Sequence, residues 1–110
     1  MGDIVIKDWN IEAMTGYKPI SSFYRDFSIA EAFGEAGVRE TFKRAFNEWK
    51  KNYKYLTELV MVLNWKTWQH WEAENKDMSY CYFELYEEAD EYAQANLKGE
   101  ELDYYFQTTD

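Results

Sequence analysis

Residues 55–75 carry apolar side chains on nearly every side of a helix. At about 100° per residue the apolar positions fall on two faces. One face holds Tyr55, Leu56, Leu59, Val62 and Leu63, and a second holds Val60, Met61, Trp65, Trp68 and Trp71. A helix that is apolar nearly all round has to be surrounded by other elements. The segment therefore predicts a helix in the middle of a bundle.

Two more segments with helical periodicity lie on either side of it in the chain. Residues 36–52 place Val38, Phe42, Ala45, Phe46 and Trp49 in one arc. We expect a break at Asn52, because the apolar stripe shifts by about a quarter turn between residues 49 and 59. Residues 78–98 form the other helix, with Asp77 or Ser79 as the N-cap.

The ends of the chain predict smaller elements. Ser28 and Glu31 have the spacing of a capping box, which predicts a short helix over 28–33 that Gly34 ends. Residues 1–21 are expected to be an irregular arm, and residues 100–110 an acidic, aromatic tail with one helical turn that docks Leu102 and Phe106. The prediction is a single domain over 1–110. Its fold class is all-α: a small up-down bundle of three long helices with a short N-terminal helix.

Charge is polarised along the chain. The net charge is −9. Residues 1–54 hold nine basic and eight acidic residues, whereas residues 55–110 hold three basic and thirteen acidic residues. The helix predicted over 36–52 carries a basic stripe that extends just past its end: Arg39, Lys43, Lys50 and Lys54. The helix predicted over 78–98 carries an acidic face: Glu84, Glu87, Glu88 and Glu91. We expect edge charges of the two helices to pair across the groove between them.

Composition excludes several chemistries. One Cys rules out an intramolecular disulfide and a cysteine-rich zinc site, and a single His, with Thr67 three residues before it, excludes a Glu-x-x-His di-metal bundle within one chain. No nucleotide-binding loop is present, so we expect no cofactor and no metal. The protein is predicted not to be an enzyme. The catalytic alternative is a thiolate–imidazole pair of Cys81 and His70.

The expected setting is cytoplasmic. The longest apolar run is Leu59–Leu63, far shorter than the ~20 residues of a membrane span, so no membrane association is expected. Residues 1–20 lack the apolar region of a secretory signal.

The tryptophans of residues 55–75 are the most informative candidates for a site. Met61, Trp65, Trp68 and Trp71 share one side of the helix. Core packing is the default interpretation, with the first helix, the N-terminal arm and the tail as covers. If these elements leave the side chains exposed, the surface indicates a protein interface, because Trp and Tyr anchor such contacts.

Nucleic acid is not an expected partner. The basic stripe is a candidate for following phosphates, but a net charge of −9 opposes nonspecific binding to nucleic acid.

Several stretches carry a family resemblance. They are Asp26–Gly34, Thr41–Lys50, Tyr55–His70, Ala95–Leu102 and Thr108–Asp110. The chain from about Asn10 onward resembles a family of small proteins, without an assigned activity, that are carried on integrative conjugative elements of Gram-positive gut bacteria. The resemblance implies an origin on a mobile element and a cytoplasmic setting, and it assigns no functional residues.

Two hypotheses about function follow. The first is a non-catalytic interaction protein, an accessory factor of a mobile element that binds another protein or forms a homodimer. The alternative is an acidic DNA mimic that inhibits a host nuclease or DNA-binding protein, because the net charge of residues 55–110 is −10.

Overall fold

The computed structural model describes residues 20–109, which are almost entirely helical. The predicted arm over 1–21 lies outside the described residues except for its last two positions, which begin the first helix. The elements are α1 (Ile20–Ala30), a 3₁₀ turn (Glu31–Phe33), α2 (Gly34–Trp49), α3 (Tyr53–Glu72), α4 (Lys76–Asn96) and α5 (Glu100–Thr109). The predicted all-α bundle with three long helices is confirmed.

Helix α3 lies in the middle of the bundle, as its two apolar faces predict. It packs along α4 and also contacts α1, α2 and α5. Within its first eleven residues Leu56, Leu59 and Leu63 are fully buried, and so is Thr57 on the other side of the helix. The core continues into α1 through Phe27 and into α4 through Tyr82.

The predicted start of the first helix is wrong. Helix α1 begins at Ile20, eight residues before Ser28, because Phe23, Phe27 and Ala30 bury one continuous helical face. Ser28 is not an N-cap. Its hydroxyl donates to the Tyr24 carbonyl oxygen at 2.9 Å, the bond that a serine makes inside a helix.

The break after the second helix is confirmed at Asn52. Its side-chain oxygen accepts from the backbone N–H groups of Lys54 and Tyr55, so Asn52 is the N-cap of α3. The N-cap of α4 was predicted wrongly as Asp77 or Ser79. Asn75 has that role by accepting from the Met78 N–H, because α4 starts at Lys76.

The predicted tail is a complete helix, α5, and not one turn. Gly99 has φ of 61°, which lets the chain turn sharply from α4 into α5. Tyr105 is buried and donates to Asp90 on α4. Leu102 packs against the core, as expected, but Phe106 remains 39% exposed, so its predicted docking is wrong.

Within residues 20–109, no helix combines the length and the apolar character that a membrane span needs.

Candidate interaction surface

Three tryptophans of α3 lie on the protein surface. Trp65 is 45% exposed, Trp68 58% and Trp71 43%, while Met61 is half-buried. Core packing, the default interpretation of this stripe, is therefore wrong for the three indole side chains. Neither α1 nor α5 covers them, and the N-terminal arm lies outside the described residues.

The exposed tryptophans lie beyond the part of α3 that packs against α5. This helix packs beside the first half of α3, where the Tyr104 and Tyr53 rings meet edge to face at 5.3 Å. With α1, α2 and α4 packed on its other sides, residues 55–60 of α3 are buried all round. Beyond the reach of α5, Trp71 lies on the same side of α3 as Tyr53, and the exposed indoles of Trp68 and Trp65 lie about 60° and about 120° round the helix from it.

The exposed aromatic surface extends onto α4. The Trp71 and Tyr80 ring centroids lie 6.2 Å apart, and Tyr80 is 56% exposed. One turn further along α4, Phe83 is 42% exposed and stacks on Tyr86 at 6.2 Å. We call these five exposed side chains the aromatic face: Trp65, Trp68, Trp71, Tyr80 and Phe83.

The sequence pattern did not predict a role for Tyr80 and Phe83. The available signal is their position on α4, because both lie off the stripe that holds Tyr82, Leu85 and Ala89. Large aromatic side chains outside the buried stripe of an amphipathic helix indicate an exposed apolar patch.

A shallow hollow adjoins the aromatic face on the α1 side. Tyr24, Trp65, Trp68, Gln69 and Glu72 line it. The Gln69 amide donates to the Tyr24 hydroxyl at 2.6 Å and thereby links α3 to α1. The hollow therefore has aromatic walls and a carboxylate at its edge.

The acidic face of α4 is exposed and partly paired. Arg39 of the basic stripe donates to Glu84 at 2.8 Å, which confirms the predicted pairing of edge charges between α2 and α4. This hydrogen bond raises the pKa of Arg39 above its ordinary value. Within the described part of the chain, Glu87, Glu88 and Glu91 make no ion pair.

The basic stripe is not a continuous row of free cations. Lys43 and Lys54 are exposed, but Arg39 is bound to Glu84. Lys50 is half-buried, with Nζ 5.5 Å from the centre of the Phe46 ring and 5.6 Å from that of Tyr92. Arg39 and Lys50 therefore stabilise the contact between α2 and α4.

A buried polar cluster was not predicted. The Lys66 ammonium lies 2.9 Å from the Glu31 carboxylate and donates to Ser28 Oγ at 2.8 Å, and its side chain is only 3% exposed. The Tyr82 hydroxyl donates to the same carboxylate at 2.6 Å. His70 Nε2 lies 3.0 Å from that carboxylate. The cluster ties the 3₁₀ turn to α3 and α4.

Burial and hydrogen bonding oppose each other at Glu31. Burial alone raises the pKa of this carboxyl, but the contacts from Tyr82, His70 and Lys66 outweigh burial and hold the pKa below its ordinary value. Burial and the bond to Glu31 raise the pKa of the Tyr82 hydroxyl far above its ordinary range. The cluster therefore contains a carboxylate and a neutral phenol at neutral pH.

Cys81 and His70 have different neighbours. The His70 ring stacks on Tyr82 with centroids 5.5 Å apart. Cys81 is buried, and burial raises the pKa of its thiol, which disfavours the thiolate that a nucleophile needs. Among residues 20–109 no hydrogen bond joins the thiol to the imidazole, and no group of His, Cys, Asp and Glu side chains is arranged to hold a metal ion.

Comparison with known proteins yields no relative: no protein-family model matches the sequence, and no curated protein or solved structure matches it.

Proposed function

We propose that this chain is a non-catalytic protein-interaction protein whose aromatic face binds another protein. The observation that carries the proposal is the exposure of Trp65, Trp68 and Trp71 on one side of α3, continued by Tyr80 and Phe83 on α4. Exposing large aromatic side chains to water is unfavourable, and such side chains dominate the binding energy of many protein interfaces. A mobile-element setting in the cytoplasm is part of the proposal and rests on the sequence resemblance of the stretches between Asp26 and Asp110 alone.

The proposal is tested by comparing partners of the wild-type protein with those of Trp68→Ala. Each tagged protein is expressed in the native host, purified at low stringency and analysed by quantitative mass spectrometry. We expect a specific protein that is enriched with the wild type and reduced about tenfold or more with Trp68→Ala, as for an interface anchor. Both proteins should unfold at nearly the same temperature, because the Trp68 side chain is mostly exposed.

Phe33→Ala is the matched control. Phe33 is 74% exposed but lies in the 3₁₀ turn beside a groove between α1 and α2. Its substitution removes a comparable aromatic side chain and should leave the partner in place. Equal recovery of every enriched protein by wild type and Trp68→Ala would contradict the proposal.

The acidic DNA mimic remains a second candidate. Its specific support is the exposed, unpaired state of Glu87, Glu88 and Glu91 within the described residues. A mimic needs carboxylates that a basic DNA channel can take up. For a mimic, duplex DNA should displace the partner, and Glu87→Lys combined with Glu91→Lys should abolish binding while Trp68→Ala retains it.

A further inference from the structure

The aromatic face continues a groove that α5 fills only in part. Tyr53, which contacts α5, and Trp71 are 18 residues apart, five complete turns, so both point to the same side of α3. Asp90, which bonds to Tyr105 of α5, and Phe83 are seven residues apart and share a side of α4. At one end of the α3–α4 pair, α5 covers this side. At the other end, the same side carries Trp71 and Phe83.

The uncovered part of this groove has room for a short helix. Eighteen residues of α3 span about 27 Å at 1.5 Å per residue, and the ten residues of α5 span about 15 Å. Because α5 contacts Tyr53 and is only this long, at least about 12 Å of the groove, roughly two helical turns, is left with aromatic side chains on both walls. A helix that continues the layer of α5 would bury these side chains as α5 buries the first half of α3.

The edges of the open groove are acidic. On α4, Glu87 follows Phe83 by one turn, so its carboxylate, unpaired within residues 20–109, lies next to the aromatic rings. Glu84, one turn after Tyr80, is instead bonded to Arg39 of α2. On α3, Glu72 lines the hollow beside Trp65 and Trp68.

A basic residue also lies beside the groove. Lys76 is exposed and has its Nζ 5.8 Å from the Trp71 ring centre. Glu84 is already paired with Arg39, but Glu72 and Glu87 still outnumber this ammonium, so the charge around the open groove favours a cationic occupant.

We propose that the occupant of this open groove is a cationic amphipathic helix of a protein partner. Its apolar side lies on Trp68, Trp71, Tyr80 and Phe83, and its Lys and Arg side chains lie at the acidic edges. This inference rests on the proposed function and adds the chemistry of the partner. It differs from the DNA mimic in needing the aromatic rings as well as the carboxylates.

A second copy of this chain fits the groove less well. The exposed basic side chains of the second half of α2, such as Lys43 and Arg44, have no exposed large apolar residue beside them on that helix. A surface of this kind neutralises the acidic edges but leaves the aromatic walls in water. Self-association is therefore an outcome of the test and not the proposal.

Two synthetic peptides of about 18 residues, longer than the ~12–15 residues below which isolated helices are marginal in water, test the charge requirement. Both carry Leu at helical i, i+3, i+4 and i+7 positions, one with Lys and the other with Glu at the remaining positions. The full-length protein is titrated with each peptide, and the change in tryptophan fluorescence gives the affinity. We expect the Lys peptide to bind at least about tenfold more tightly than the Glu peptide, and high salt to reduce this difference.

Variants of the protein test the location. Trp71→Ala and Phe83→Ala should each weaken binding of the Lys peptide about tenfold, and Glu87→Gln should weaken it at low salt only. Phe33→Ala and Glu48→Gln, on exposed residues of the 3₁₀ turn and α2, are the matched controls and should leave the affinity unchanged. Equal affinity for both peptides, or full affinity in Trp71→Ala and Phe83→Ala, would overturn the inference.

Cross-linking in the host separates this inference from the proposed function. A photoreactive amino acid replaces Lys76, which is exposed beside Trp71 but is not part of the aromatic face, and the cross-linked segment is sequenced by mass spectrometry. A Lys- and Arg-rich amphipathic segment of another protein supports the inference. A segment without basic residues refutes the inference and keeps the proposed function, a segment of this same chain identifies a homodimer instead, and no cross-linked protein refutes both.

Discussion

Replacing Glu31 with Gln should reduce the free energy of unfolding by about 3 kcal/mol. The substitution leaves the Lys66 ammonium in place, with a side chain only 3% exposed, and removes the charge 2.9 Å from it. Removing one partner of a buried ion pair costs about 3–5 kcal/mol, because the other charge stays buried and unpaired. We take the lower end of this range because the Glu31 side chain is 21% exposed and Ser28 Oγ still accepts from Lys66.

The pair of Arg39 and Glu84 is a matched control for the effect of burial. Its N–O distance is 2.8 Å, almost the same as in the buried pair, but its side chains are 45% and 63% exposed. Solvent screens an exposed pair of this kind, so Glu84→Gln should cost less than about 1 kcal/mol. If Glu31→Gln lowers the free energy of unfolding much more than Glu84→Gln does, the difference reflects the burial of the pair and not its N–O distance.

Urea denaturation followed by tryptophan fluorescence measures the free energy of unfolding of both variants. For a chain of this length, 3 kcal/mol corresponds to a fall in Tm of about 12 °C. Combining Glu31→Gln with Lys66→Met should restore part of the loss, because the unpaired buried ammonium is then absent. Equal losses in the free energy of unfolding for Glu31→Gln and Glu84→Gln would contradict the role of burial. So would a double variant, Glu31→Gln with Lys66→Met, whose loss equals the sum of the two single losses.

Three further predictions concern pH, the helix cap and the thiol. Because the folded-state pKa of Glu31 lies below the ordinary value of about 4.3, its contribution to stability is complete above that pH and is lost as the pH falls towards the folded-state pKa. The wild type should therefore lose more stability than Glu31→Gln between pH 6 and pH 3, roughly the window of that titration, as measured by urea titrations. Asn52→Ala should lower the free energy of unfolding by about 1 kcal/mol, because two backbone N–H groups lose their acceptor, whereas Asn47→Ala, within α2, should not. The Cys81 thiol should react with a thiol reagent at least about 100-fold more slowly in the native protein than in urea, since it is buried and its pKa is raised.

Each of these has a contrary result. Parallel losses of stability with pH in wild type and Glu31→Gln would show that Glu31 does not titrate as its contacts imply. Equal effects of Asn52→Ala and Asn47→Ala would show that the cap does not stabilise α3. Rapid modification of Cys81 in the native protein would show that the region between α2 and α4 opens easily.

Local sequence patterns predicted that the helices exist more accurately than they predicted where each helix begins and ends. The break at Asn52 was found because a shift in the apolar stripe is visible within a few turns of sequence. The capping box at Ser28 was misleading, because a serine hydroxyl finds a hydrogen-bond partner inside a helix as readily as at its start. Here the Ser28 hydroxyl donates to the Tyr24 carbonyl oxygen. Neighbouring residues do not decide between these two uses, but the burial of Phe23 and Phe27 does.

The candidate site was predictable in part. Met61 and the three tryptophans of α3 were identified from spacing, but whether each is covered depends on how elements distant in the chain pack against α3. Tyr80 and Phe83 join them only because α3 and α4 pack side by side. The ion pair of Lys66 and Glu31 joins residues 35 positions apart, a distance along the chain at which periodicity carries no information.

The all-α class, the central position of α3 and the polarised charge follow from local properties, namely helical period and residue charge. Which apolar side chains of α3 are covered depends on packing between helices. Burial depends on elements distant in the chain, and α5 covers the first half of α3 while Trp65, Trp68 and Trp71 remain exposed on the second. The same packing buried Lys66 beside a carboxylate and left the aromatic face next to the acidic edge of α4.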